Sequence, residues 1–389
     1  MANLTQIRAF ATVILAALTL SCSCPRADAG SVTASLWGHL PDGRPVRTFT
    51  LTNTHGTRVV LAEYGALLVS VETPDREGRI GHVTLPYRSL EEALSGGVLG
   101  SVIGRFANRI SGAGFVIDGA RHDLESANAD GVHIHGGKTG FHRQLWTSRS
   151  TEESVTFSLV SEDGHEGYPG KVEVSVTYTL TEDSTLRLAY SGTTTRPTPL
   201  SLTNHTYFNL AGSGDILEHE LQMDCTEVLA VDTRKVPTGA LLSVADTPFD
   251  FRKSKSIGRD LGLVEGGGYD HCLVIPRDPL AKPAVLVPFA TLRDPVSGRR
   301  LVIATTKPGV QIFTANSFNG SPFPRWGGIC FETQFYPDSP NRPEFPSCLL
   351  RPGVPYEHVT EFRFGGENGV VASDPEAPKS DCLAAAQGH

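Results

Sequence analysis

The period of its hydrophobic pattern constrains this chain more than any other feature. Apolar and β-branched residues crowd or alternate with polar ones over short runs, among them Arg58 to Ala62, Val155 to Val160, Lys171 to Leu180 and Thr185 to Ser191. Successive side chains of an extended strand point to opposite faces, so a period of two marks a half-buried strand. Gly, Pro, Asn and Asp bound these runs, and those are turn-forming residues. Helical periodicity is almost absent; only Ser89 to Ala93 has the character of a single turn. Short strands without interleaved helices predict an all-β chain, a sandwich or barrel rather than a parallel sheet.

The two ends read differently from the body. Arg8, the uncharged apolar run Phe10 to Leu20, and the small-x-small triplet Ala27-Asp28-Ala29 follow the plan of a secretory signal peptide over residues 1–29. The run is shorter than the roughly 20 residues that span a bilayer. Cys22 and Cys24 near its end admit a lipid anchor, but Thr19-Leu20-Ser21 fits lipid attachment at Cys22 poorly, and cleavage before Gly30 is preferred. The expectation is therefore a secreted or periplasmic protein. Residues 30–366 read as one β-sandwich domain without a linker or repeat. Residues 367–389 are poor in apolar side chains and read as a disordered tail.

The net charge is −8 and no Lys/Arg cluster appears, so the chain has no footprint for a nucleic-acid backbone. No segment after the leader is apolar enough for stable membrane insertion. Cys225, Cys272, Cys330, Cys348 and Cys382 are odd in number and show no CxxC spacing, so neither a zinc site nor a dense disulfide framework is expected. Sequence does not pair them.

Five polar clusters interrupt the strand pattern. Gly104-Arg105-Phe106-Ala107-Asn108-Arg109 offers guanidinium and amide donors that either hold sugar hydroxyls or pair with surface carboxylates. His133-Ile134-His135-Gly136-Gly137 would place both histidines on one face of a strand, as two metal ligands are placed. The Glu that such a metal site wants is missing from Gly136 to His142, so no metal is expected. The paired glycines suggest a close backbone approach. Asn204-His205-Thr206-Tyr207-Phe208-Asn209-Leu210 is too rich in polar side chains for a core strand, and Thr203, His205 and Tyr207 would share a face. Asp270, after Gly268-Tyr269, is either a turn residue or a ligand holder. Glu332 stands in the largely apolar Cys330 to Phe335, where a carboxylate is costly unless it is paired or hydrogen-bonded, and one kept there often serves as an acid, a base or a ligand holder.

Together these segments resemble the aldose 1-epimerase (galactose mutarotase) family. GRFANRI, HGGKTGFHRQLW, NHTYFNL, YDH, PGVQIFTAN and ETQFYPDSPNRPEFPS stand in that family's order between Gly104 and Ser347, and with flanking strands the resemblance runs from about Leu36 to Phe364. It implies a single large antiparallel β-sandwich whose open face forms a sugar groove. It also implies roles: Glu332 as general base, His205 as general acid, His135 as a second histidine near the ring oxygen, and Asn108, Arg109, Asp270 and Gln311 as substrate holders. Cys272 stands where the family often has Asn, and Ala315 where it usually has Gly; neither is a catalytic position in the family, and the resemblance implies that both departures adjust the groove and so the preferred sugar.

The implied activity is an isomerase that interconverts the α and β anomers of a free aldose such as glucose or galactose, with no cofactor. Ring opening needs the anomeric hydroxyl to lose a proton while the ring oxygen gains one, so one base and one acid suffice. The alternatives are a glycoside hydrolase using Glu332 and Asp270, a non-catalytic sugar-binding sandwich, and an epimerase of a sugar phosphate. The partner in each case is a small sugar. The preferred aldose and the oligomeric state are not fixed by the sequence.

Overall fold

The computed structural model describes residues 30–277 and 285–366. The leader 1–29 with Cys22, the tail 367–389 and Cys382 lie outside the described residues. The rest is antiparallel and nearly all β, as the two-residue period requires.

Three sheets form the body. The largest has nine strands in the order Thr147–Ser150, Ser154–Ser161, Val172–Leu180, Thr185–Thr194, Tyr356–Gly366, Arg299–Thr305, Val287–Arg293, Glu220–Met223 and Lys255–Ser256. A six-stranded sheet runs Tyr207–Phe208, Ile329–Gln334, Gly309–Phe313, Asp270–Val274, Glu227–Val231 and Pro237–Ser243. A five-stranded meander is built from Ser31–His39 to Ile80–His82. One apolar core joins them. Val174, Val176, Tyr178 and Leu188 of the nine-stranded sheet share it with Val310, Ile312 and Phe331 of the second sheet and Phe49, Leu51 and Val59 of the third. Apolar area removed from water holds the layers face to face, as in other sandwiches.

The strands expected at Arg58–Ala62, Ser154–Ser161, Val172–Leu180 and Thr185–Thr194 are present. The single turn is a helix at Leu90–Ser95, capped by the Ser89 side chain, which accepts from the Glu92 N–H. Four short 3₁₀ turns among the described residues were not legible in the sequence, Phe141–Arg143 and Ile257–Leu263 being two of them.

Two-residue ladders then tie the connecting loops to the groove. Val102–Ile103 pairs with Thr203–Asn204, and Arg109–Ile110 pairs with His133–Ile134. Through them the first, second and third polar clusters are drawn to the open face of the six-stranded sheet. Among the described residues no helix is long and apolar enough to cross a membrane. Cys225, Cys272, Cys330 and Cys348 are buried free thiols.

Candidate active site

The open face of the six-stranded sheet carries the site, and strand alternation selects its residues. Glu332 lies directly opposite Gln311, and Gln311 lies opposite Cys272. Two residues from Cys272 comes Asp270; two from Glu332 comes Cys330, opposite Tyr207. A period of two places Tyr207, Cys330, Glu332, Gln311 and Asp270 on one face. The intervening Phe331, Ile312 and Leu273 enter the core.

Glu332 and His205 form the centre. Nε2 of His205 is 3.4 Å from Oε1 of Glu332, and both side chains are nearly inaccessible, at 4% and 2% exposure. Oε2 of Glu332 has no protein partner. Burial pushes the Glu332 carboxyl up to about 8; the Asp270 charge acts in the same sense and Arg109 against it. Burial also pushes His205 down to about 4. The His135 ring meets the His205 ring edge to face, with centroids 5.3 Å apart.

Beside this pair lies a hydrogen-bonded chain. Arg109 Nη2 donates to Asp270 Oδ2 over 3.1 Å, and Gln311 Nε2 donates to Asp270 Oδ1 over 2.6 Å. With both oxygens engaged, Asp270 is an acceptor held in place. Asn108, at φ 67°, a left-handed conformation that Asn tolerates, uses Oδ1 to accept from the Arg109 N–H and from Arg109 Nη1. Its own N–H donates to His135 Nδ1 over 3.2 Å. The amide nitrogen of its side chain has no partner among the described residues and is left for a ligand.

That last backbone bond decides the tautomer of His135. A ring nitrogen that accepts carries no proton, so the neutral ring holds its hydrogen on Nε2. Burial keeps His135 neutral, well below its ordinary value. His135, His205 and Glu332 bring three donor atoms within 4.8 Å, a group that could hold a metal ion. Binding through His135 would require its free nitrogen to give up the hydrogen this tautomer puts there, so the set fits a metal poorly.

Several sequence expectations change. His133 and His135 do not share a strand face: the strand stops at Ile134, and His135 turns at φ 53°. His133 is buried away from the groove, with Nδ1 2.7 Å from the carbonyl oxygen of Glu125. The paired glycines do permit a close approach, because a Cβ on Gly136 would lie 1.8 Å from the Gly104 carbonyl oxygen. Thr203 and Tyr207 belong to two separate ladders with His205 between them. Asp270 starts a strand and is not a turn residue. Of the two arginines in the first cluster only Arg109 reaches the groove. Arg105 turns inward and donates to Ser161 Oγ and to the carbonyls of Ser161, Glu162 and Pro169.

Sequence reasoning also missed what steadies the site. The Asp338 N–H donates to the Arg109 carbonyl over 2.7 Å, and Asp338 Oδ1 accepts from the Ser111 N–H over 2.9 Å. Asn341 bonds the carbonyls of Ser111 and Gly114. The Asp338 to Asn341 turn thus clamps the segment that carries Arg109. Asp and Asn beside Pro signal a turn in sequence, but not which segment the turn grips.

Comparison with known proteins accords with this geometry. The family model described as aldose 1-epimerase matches residues 47–363. The galactose mutarotase of Homo sapiens is 40% identical over 347 residues, covering 86% of this chain and 98% of that protein. The aldose 1-epimerase of Escherichia coli (strain K12) is 36% identical over 343 residues, covering 84% and 97%. Among solved structures, the galactose 1-epimerase of Lactobacillus acidophilus superposes with a TM-score of 0.77 at 26% identity, over 87% of this chain and 99% of that one. An aldose epimerase homologue from C. elegans gives 0.75 at 30% identity, over 81% and 97%. A match that runs through both halves of the sandwich, and takes in every strand bearing a groove residue, places this chain in the aldose 1-epimerase family.

Proposed function

We propose that this protein is a mutarotase, an isomerase that equilibrates the α and β anomers of a free aldose such as glucose or galactose. The observation that carries the reading is the buried Glu332–His205 pair, with atoms 3.4 Å apart at the floor of the groove. One mobile proton serves both groups. With the proton on His205, Glu332 is a carboxylate that accepts the proton of the anomeric hydroxyl, while His205 delivers one to the ring oxygen. The C1–O5 bond breaks, the aldehyde turns about C1–C2, and reclosure from the other face returns each proton. His135, with Nε2–H, donates a hydrogen bond near the ring oxygen as its charge changes.

Arg109, Asp270, Gln311 and Asn108 supply the positioning. Their mutual hydrogen bonds fix donors and acceptors in one geometry before the sugar arrives. The same bonds weigh against a glycoside hydrolase, since Asp270 shares its oxygens between Arg109 and Gln311 and is not free to deliver a proton.

Polarimetry of freshly dissolved anomers tests the reading. Glu332→Gln keeps the shape but cannot accept a proton, and His205→Asn removes the donor; each should lower turnover by about 10²- to 10⁴-fold with sugar affinity much less changed. A folded Glu332→Gln protein that turns over at the parent rate refutes it. Activity should survive exhaustive chelation; loss on chelation with recovery on adding a divalent ion would overturn the metal-free mechanism. We also propose export, on the strength of the Arg8, apolar run and Ala27-Asp28-Ala29 order.

A further inference from the structure

The acid has a neighbour with no assigned task. Cys330 Sγ lies 3.3 Å from Nδ1 of His205, and both residues are buried. Taking His205 as the acid, as above, its pocket-facing nitrogen is Nε2, the one directed at Glu332. The proton it exchanges with Glu332 and the ring oxygen must come and go at that atom. Nδ1 must then keep its hydrogen throughout the cycle, in the neutral ring and in the imidazolium alike, and that hydrogen needs an acceptor.

We propose that Cys330 is a positioning residue for His205: its sulfur accepts the Nδ1 hydrogen, holding the ring in the tautomer whose bare Nε2 faces Glu332. The logic is that of a group that orients a catalytic imidazole from behind, with a soft, neutral acceptor in the place usually taken by a carboxylate. Burial keeps Cys330 a thiol, so the contact adds no charge beside Glu332. The Tyr207 ring packs on His205 with centroids 5.2 Å apart. The two site histidines are therefore held in opposite tautomers. His135 presents a fixed donor, because the Asn108 N–H occupies its Nδ1; His205 presents a nitrogen that both takes and gives a proton.

The test combines a spectroscopic readout with kinetics on the full chain. Nitrogen-15 NMR of histidine-labelled parent protein should show His205 protonated on Nδ1 and bare on Nε2. Cys330→Ala should leave a mixture of tautomers and lower kcat by about three- to tenfold at unchanged KM, the order of one neutral hydrogen bond. Cys330→Ser, which restores an acceptor on a similar stem, should recover part of that loss. A purely structural cysteine would leave the tautomer untouched. A parent His205 carrying its hydrogen on Nε2 overturns the proposal, as does a Cys330→Ala protein with the parent tautomer and the parent kcat. Should Cys330→Ala fail to fold, the parent spectrum and the serine variant decide. These outcomes are separate from the acid assignment, which His205→Asn tests by rate alone.

Discussion

At the scale of single residues, the consequence of burial is a shared proton. Glu332 is pushed up to about 8 and His205 down to about 4, so between those values the pair holds one proton, which rests on Glu332 beside a neutral His205 and passes to Nε2 of His205 to give the working carboxylate and imidazolium. Below about 4 a second proton binds and silences the base. Above about 8 the last proton leaves and the acid is lost. The pH profile of kcat/KM should be a bell with a plateau between these limits, and a profile still climbing beyond pH 9 would contradict the pairing. Asp270→Asn should act differently from either partner. It weakens the acceptor that holds Arg109 and Gln311, so sugar affinity and rate should fall together, whereas a fall in kcat alone would give Asp270 a part in the chemistry. The candidate residues apart from Gln311 were legible as polar side chains in clusters that interrupt the strand pattern; Gln311, and the roles of all of them, came from the resemblance. Cys330 was not legible: a cysteine in an apolar strand reads as a small core residue until a histidine ring is seen against it.

Among the elements, the groove depends on loops held from behind. Arg105 is the clearest case. The residue is 1% exposed and its guanidinium bonds the carbonyls of Ser161, Glu162 and Pro169, stapling the segment before Asn108 to the chain on either side of the His165–Gly167 turn. Arg105→Met preserves length but strands those carbonyls, and an unmet buried polar group costs about 1–3 kcal/mol. Loss of at least about 2 kcal/mol in urea denaturation is expected, with sugar affinity of the folded protein little altered. A large affinity loss without destabilisation would return Arg105 to the groove. Strands were read correctly where alternation was sustained, as at Val172–Leu180, because a face against a core writes itself into every second residue. The two-residue ladders at Arg109–Ile110 and Thr203–Asn204 were not, since a ladder so short has no period to read.

On the scale of the whole molecule, buried neutral histidines set the acid limit. Burial holds His142, His205, His219 and His271 at about 4 and His358 at about 3. Each is depressed below its ordinary value, so the unfolded chain binds more protons, and the stability they contribute is present above about 6.5 and lost as pH falls toward 4. The midpoint of urea unfolding should drop steeply between pH 6.5 and 4.5. Glu332 works the other way: its raised value favours the folded state at low pH, and that contribution is lost as pH rises through 8. Glu332→Gln should therefore gain stability over the parent as pH rises toward 8, and a variant less stable than the parent at pH 8 would show that the carboxylate anchors the sandwich. For the exported form, N-terminal sequencing should find Gly30 first; a retained Met1 or a lipid-modified Cys22 would refute cleavage there.

The sequence by itself determined the class of fold, the strand positions with a buried face and the set of polar residues too costly to bury idly, because hydrophobic period and turn chemistry are local properties of the chain. It did not determine which of those residues meet. Glu332 and His205 are brought to 3.4 Å by the pairing of Tyr207 with Cys330 across the sheet, and His135 reaches them only because a left-handed turn ends its strand. Arg105 and Arg109, four residues apart, go one to the interior and one to the groove. Only the tertiary structure decides such matters, since the pKa of a carboxyl, the tautomer of an imidazole and the direction of a guanidinium depend on neighbours that are distant in the chain and near in space.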